Sequence, residues 1–89
     1  MIKEWSDIAW NEYEFFQNED RKILRKINNL IKDIERNGES VGIGGPEPLK
    51  YEWTGYYSRK IDKKNRLIYK INESGHLDIA SCKGHYDDR

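Results

Sequence analysis

The chain has 89 residues and a mass of 10.7 kDa, enough to bury one core and no more, so residues 1–89 are read as a single domain. Sixteen Lys and Arg balance sixteen Asp and Glu, but the charges are segregated: residues 1–20 carry one base and six acids, residues 49–70 seven bases and two acids. No apolar run approaches the roughly 20 residues of a membrane span, no signal-peptide core opens the chain, and one cysteine with two histidines makes neither a disulfide framework nor a zinc site of the usual spacing. These features predict a soluble cytoplasmic protein without metal or other cofactor.

In chain order, Ile2-Lys3-Glu4-Trp5 reads as a short strand, and Ser6 or Asp7 as the N-cap of a first helix running to about Asn18. Its apolar positions are Ala9, Tyr13 and Phe16 with Trp10 beside them, while Glu12 and Glu14 are expected to turn outward. Asp20 caps a second helix whose stripe is Ile23, Ile27, Leu30, Ile31 and Ile34, and Asn37-Gly38 ends it. Residues 38–48 hold four of the seven glycines and both prolines and predict a flexible connector. After it the period falls toward two, with strand-like runs over about Leu49–Trp53, Tyr56–Ile61, Arg66–Ile71 and Leu77–Lys83. Strand, helix, helix and meander predict an α+β domain: an N-terminal strand and two helices packed on one face of a mainly antiparallel sheet, with the other face open for function.

The glycines at 42, 44 and 45 do not make a phosphate loop, because a helix precedes them and no Gly-Lys-Ser/Thr is present. Cys82 lies in a strand-like run and reads as a small buried thiol. A more informative group comprises Glu47 between two prolines, the cations Lys50, Arg59, Lys60, Lys63, Lys64 and Arg66, and His85-Tyr86. Prolines of fixed φ can pre-position a carboxylate as a general base, or merely stiffen the approach to a strand; spacing alone does not choose. Seven bases interleaved with Tyr51, Trp53, Tyr56, Tyr57 and Tyr69 offer cations for phosphates and rings for bases, the combination that single-stranded nucleic acid requires. Part of those aromatics belongs to the core, and Trp5, Trp10 and Trp53 are expected to be buried rather than stacked on a base. A carboxylate, cations and an imidazole are the parts of metal-free RNA cleavage: a base for the 2′-hydroxyl, cations for the phosphorane, and an acid for the 5′-oxygen.

Trp5-Ser6, Lys26-Ile27-Asn28, Leu30-Ile31-Lys32-Asp33, Pro46-Glu47-Pro48-Leu49-Lys50, Gly55 followed by Ser58-Arg59-Lys60-Ile61, Arg66-Leu67-Ile68-Tyr69 and His85-Tyr86 together resemble the Txe/YoeB toxins of the RelE/ParE superfamily, over nearly the whole chain. The resemblance implies a RelE-like fold and the toxin of a type II toxin–antitoxin system. It implies a ribosome-dependent endoribonuclease that cleaves mRNA in the ribosomal A site without metal, leaving a 2′,3′-cyclic phosphate or 3′-phosphate and a 5′-hydroxyl. It gives Glu47 the role of general base, His85 that of general acid and Arg66 that of phosphate stabiliser, with Lys50 and Arg59 assisting at that phosphate and Tyr86 helping to hold the substrate. Lys60 and Lys64, from the basic segment, are expected as further phosphate or RNA contacts. The implied partners are a YefM/Axe-type antitoxin, the ribosome with its mRNA, and a second copy in a homodimer, with no membrane. Lys64-Asn65 stands where the family pattern has Glu-His, and Lys60 where arginine is common. The alternative is a non-catalytic relative of the same fold: a gyrase-inhibiting ParE-type toxin or a degenerate antitoxin-binding protein.

Overall fold

The computed structural model describes residues 1–85. Strand β1 (Lys3–Trp5) leads through Ser6 into helix α1 (Asp7–Glu19). The Ser6 hydroxyl accepts from Ala9 N at 3.0 Å, so one of the helix's orphan N–H groups is satisfied from the first turn. Asp20 then serves two helices at once. Its extended backbone stops α1 by donating its N–H to Phe16 O, and its carboxylate accepts from Lys22 N and Ile23 N to start α2 (Arg21–Asn37). Helix α2 buries Ile27, Leu30, Ile31 and Ile34 along one stripe, and Gly38 closes it at φ 91°, a left-handed conformation that suits glycine.

The sheet has the order β1-β5-β4-β3-β2, where β2 is Glu47–Pro48, β3 Tyr57–Lys60, β4 Arg66–Ile71 and β5 Leu77–Ser81. β1 pairs parallel with β5 and all other pairs are antiparallel. Both helices lie on one face. The main core there joins Ala9, Phe16, Ile27, Leu30 and Ile34 to Leu67, Tyr69, Leu77 and Ile79.

Four expectations are corrected. The run Leu49–Trp53 is not a strand: the edge strand is the shorter Glu47–Pro48, and a 3₁₀ turn over Tyr51–Trp53 follows it. Pro48 lacks the N–H a central strand must donate, so an edge position is where it is tolerated. The glycine-rich segment is not a loose connector. Arg59, Asp33 and Tyr69 hold its backbone, and Gly42 lies so close to the Asp33 carboxylate that an added Cβ would come within 1.8 Å of Oδ2. Glu12 turns inward, its Oε1 accepting from Cys82 N at 2.7 Å and Lys83 N at 3.2 Å, so that it caps the chain where it leaves β5. Trp10 is 45% exposed, not buried, with its ring stacked on Tyr13 and edge-on to Trp5.

Candidate active site

Strand alternation sorts the side chains between the two faces. Tyr57, Arg59, Leu67, Tyr69 and Ile79 stand toward the helices, as the cross-strand partners Arg59–Leu67, Tyr57–Tyr69 and Tyr69–Ile79 require. The opposite face carries Glu47, Ser58, Ile68 and Ser81 in one continuous row of partners, and Lys60 opposite Arg66 in the next. That face is not bare, as the order of elements had suggested, since Ser58, Ile68 and Ser81 are all buried. Ile68 breaks the apolar alternation of β4 because it is enclosed on this second side, outside the main core.

The same register places Glu47 diagonal to Lys60 across β2 and β3, with Arg66 beyond Lys60 on β4. Neighbouring strands are about 4.8 Å apart, so these three residues share one face over a span of about 10–12 Å between the outer backbones. His85 is brought to the same end of the sheet by its neighbour. Gly84 O accepts from Arg66 N at 3.0 Å, and Gly84 N donates to Asn65 Oδ1 at 2.8 Å. His85 lines a concavity of about 580 Å³ with Glu12 and Phe16 of α1 and with Lys63, Lys64, Asn65 and Lys83, at the edge where α1 meets the end of the sheet. Arg66 and Lys60 line a neighbouring one of about 410 Å³ with Lys26 and Lys63.

Arg66 is aimed by the turn before it. The Asp62 carboxylate accepts from Lys64 N, Asn65 N and Asn65 Nδ2, closing the turn, while Arg66 Nη1 donates to Asp62 O at 2.7 Å. This leaves a guanidinium fixed at one corner with donors to spare for an anion. Asn65 is therefore a structural part of the site that sequence reasoning missed. Its amide ties the Asp62 turn to the segment bearing His85, and the signal was the Asp-x-x-Asn spacing of an Asx-type turn.

Arg59 is a correction. It is 0% exposed and all five of its N–H groups have partners: Nε donates to the Tyr69 hydroxyl, Nη1 to Asp33 Oδ2 and Ile43 O, Nη2 to Gly38 O and Val41 O. A guanidinium so enclosed has no donor left for a phosphate. The Arg59 hydrogen bond also holds the Asp33 carboxyl below its ordinary value of 3.8, and burial pushes the Tyr69 phenol up. Lys50 lies on the other side of Glu47 from Arg66, because β2 runs antiparallel to β3 and carries the chain away from Lys60. Lys64 is exposed on the turn before Arg66, and Tyr86 lies outside the described residues.

Residues 5–86 match the family model described as YoeB-like toxin of bacterial type II toxin-antitoxin system. Toxin YoeB of Escherichia coli K12 is 43% identical over 82 residues, 92% of this chain and 95% of that protein. The YoeB–YefM complex from Staphylococcus aureus superposes with a TM-score of 0.90 at 46% identity, covering 97% of this chain and 98% of that one. The YoeB dimer from the same organism superposes equally well at 48% identity and the same coverage. No helix among the described residues is long and apolar enough to cross a membrane. With family model, sequence relatives and solved structures in agreement over nearly the full length, the chain belongs to the YoeB-like toxins of bacterial type II toxin–antitoxin systems.

Proposed function

We propose that this toxin is a ribosome-dependent endoribonuclease that cuts mRNA in the A site. The observation that carries the proposal is the pair of hydrogen bonds through Gly84, which ties the histidine-bearing segment to Arg66 on the face that also presents Glu47. Glu47 removes the proton of a 2′-hydroxyl, and that oxygen attacks the adjacent phosphorus. Arg66 and Lys60 stabilise the charge that develops on the phosphorane, and His85 protonates the departing 5′-oxygen. The products are a 2′,3′-cyclic phosphate and a 5′-hydroxyl. Structures of a relative with YefM and as a dimer support a YefM-type antitoxin as the neutralising partner and a homodimer as the free form. The toxin acts in the cytoplasm.

The test is to incubate the purified protein with mRNA-programmed ribosomes and map breaks by primer extension, with the same mRNA free of ribosomes alongside. A ribosome-dependent cut in the A-site codon is expected. Intact mRNA together with inhibited supercoiling by purified gyrase would move the protein to the ParE-type alternative.

A further inference from the structure

The structure separates the five aromatics of the basic segment. Tyr57 and Tyr69 stack on each other, with Tyr69 wholly buried in the core and Tyr57 half-buried against it. Trp53 and Tyr56 pack edge-to-face at 5.2 Å, and Lys70 Nζ sits over the Tyr56 ring. Tyr51 differs from all four: it is 86% exposed, the most exposed of the large apolar side chains, and has no ring partner among the described residues.

Its backbone is also unusual. Tyr51 has φ 58° and is the one residue other than glycine with positive φ among those described. A tyrosine in this left-handed region is strained by its Cβ, and the three-residue turn does not need tyrosine there, since glycine or asparagine adopts the conformation at lower cost. Hydrogen bonds hold it in place: Thr54 N and the Thr54 hydroxyl both donate to Tyr51 O, Trp53 N donates to Lys50 O, and Leu49 N donates to Tyr56 O. The result is a rigid turn displaying a bare ring beside an exposed lysine, four residues from Glu47 and thus within about 14 Å of it along the chain. Strain kept in a fixed turn that displays an uncovered aromatic points to a ligand for that ring.

We infer that Tyr51 is a stacking platform for an RNA base on the 5′ side of the cut, with Lys50 beside it for the adjoining phosphate. The inference rests on the nuclease proposal and deepens it. The direction follows from the register and the chemistry together. The 2′-hydroxyl deprotonated by Glu47 belongs to the nucleotide 5′ of the scissile phosphate, whereas the oxygen protonated by His85 belongs to the nucleotide 3′ of it. His85, Arg66 and Lys60 lie at one end of the sheet, and β2 carries Lys50 and Tyr51 to the other side of Glu47. A strand threaded from acid to base therefore continues in the 5′ direction onto Tyr51. A base stacked equally before and during reaction contributes uniform binding, so Tyr51 acts on half-saturation and not on the rate of the bound complex.

The experiment uses the full chain with mRNA-programmed ribosomes. Single-turnover cleavage is measured against toxin concentration for wild type, Tyr51→Leu, Tyr51→Trp and Tyr51→Gly, with melting curves for each. Two further mRNAs carry 2-aminopurine either just 5′ or just 3′ of the mapped cut and a 2′-deoxy sugar that blocks cleavage. Tyr51→Leu is expected to raise the half-saturating concentration about 5- to 150-fold at unchanged maximal rate, the scale of one base–aromatic stack. Tyr51→Trp restores it. Tyr51→Gly loses affinity while melting at or above the wild-type temperature, a combination that a merely structural tyrosine does not produce. Wild type quenches the 5′ probe, and Tyr51→Leu does not. Active wild type with unchanged half-saturation in Tyr51→Leu overturns the inference and leaves the nuclease proposal standing. Quenching of the 3′ probe instead overturns the assigned direction. Wild type that cleaves nothing overturns both.

Discussion

Arg59 and Arg66 stand on adjacent strands, one residue out of register, and face opposite sides of the sheet. Toward the helices, Arg59 is sealed with every donor paired, and it fastens residues 38–43 to α2 through Asp33 and to β4 through Tyr69. On the other face, Arg66 uses one nitrogen to hold itself against the Asp62 turn and keeps the rest of its fork near solvent. The difference teaches that a basic segment is not a basic surface. In a half-covered sheet, strand parity decides which cations serve the fold and which can serve a ligand.

The strongest way to break the comparison is to remove each arginine. Arg59→Ala is expected to cost about 3–5 kcal/mol, since it strands the Asp33 carboxylate and several loop carbonyls. In a domain whose total stability is about 4–13 kcal/mol, chemical denaturation should find it at or near unfolding. Arg59→Lys should rescue little, because an ammonium cannot span the same acceptors. His85→Ala and Glu47→Ala are each expected to lower ribosome-dependent cleavage about 10²–10⁴-fold at a melting temperature close to wild type. Unchanged cleavage by either folded variant would remove that residue from the mechanism. Smaller in effect, Glu12→Ala should cost about 1–2 kcal/mol by removing the carboxylate that accepts from Cys82 N and Lys83 N, measurable by urea melts.

A pH series sharpens the comparison further. Asp33 has a carboxyl pKa lowered by the Arg59 hydrogen bond, so its contribution is complete above the ordinary value of 3.8 and is lost as pH falls through the lower folded value. Glu4, lowered by its hydrogen bonds from Asn72 and His76, titrates in the same sense. Stability should be flat with respect to these carboxyls near neutrality and fall in the acid range. Asp33→Asn should melt lower at pH 7 and lose part of that acid dependence. An unchanged acid slope in Asp33→Asn would show that the Arg59 side of the sheet is held together in some other way.

Both helices and their caps were legible in the sequence because the stripe from Ile23 to Ile34 and the signals at Ser6, Asp20 and Gly38 all agree. Strand Arg66–Ile71 was read with its bounds, but the enclosure of Ile68 on the second face depends on how distant segments meet and leaves no periodic trace. Glu47–Pro48 was hidden for the opposite reason: two residues are too few to show a period, and prolines at 46 and 48 argue against a strand unless it lies at an edge. Glu47, Lys60, Arg66 and His85 were named from chemistry and family resemblance. Register puts Glu47, Lys60 and Arg66 on one sheet face, and the Gly84 contacts bring the segment bearing His85 to the Arg66 end of the sheet. Arg59 could not be separated from its neighbours, because a Lys/Arg run looks the same whether its members point to water or to Asp33. The Asp62 turn had a signal in its Asp-x-x-Asn spacing, but the tie from Asn65 to the segment bearing His85 had none, since it rests on a contact with a glycine 19 residues away.

The division of labour between the two arginines is tested most directly by the single-turnover cleavage rate of Arg66→Ala on mRNA-programmed ribosomes, using protein whose melting curve matches wild type. The account predicts a fall of about 10²–10³-fold, the scale of losing one charged group that stabilises a transition-state anion. Cleavage at the wild-type rate would contradict it, and the face of the sheet opposite the helices would then not be where the phosphate reacts.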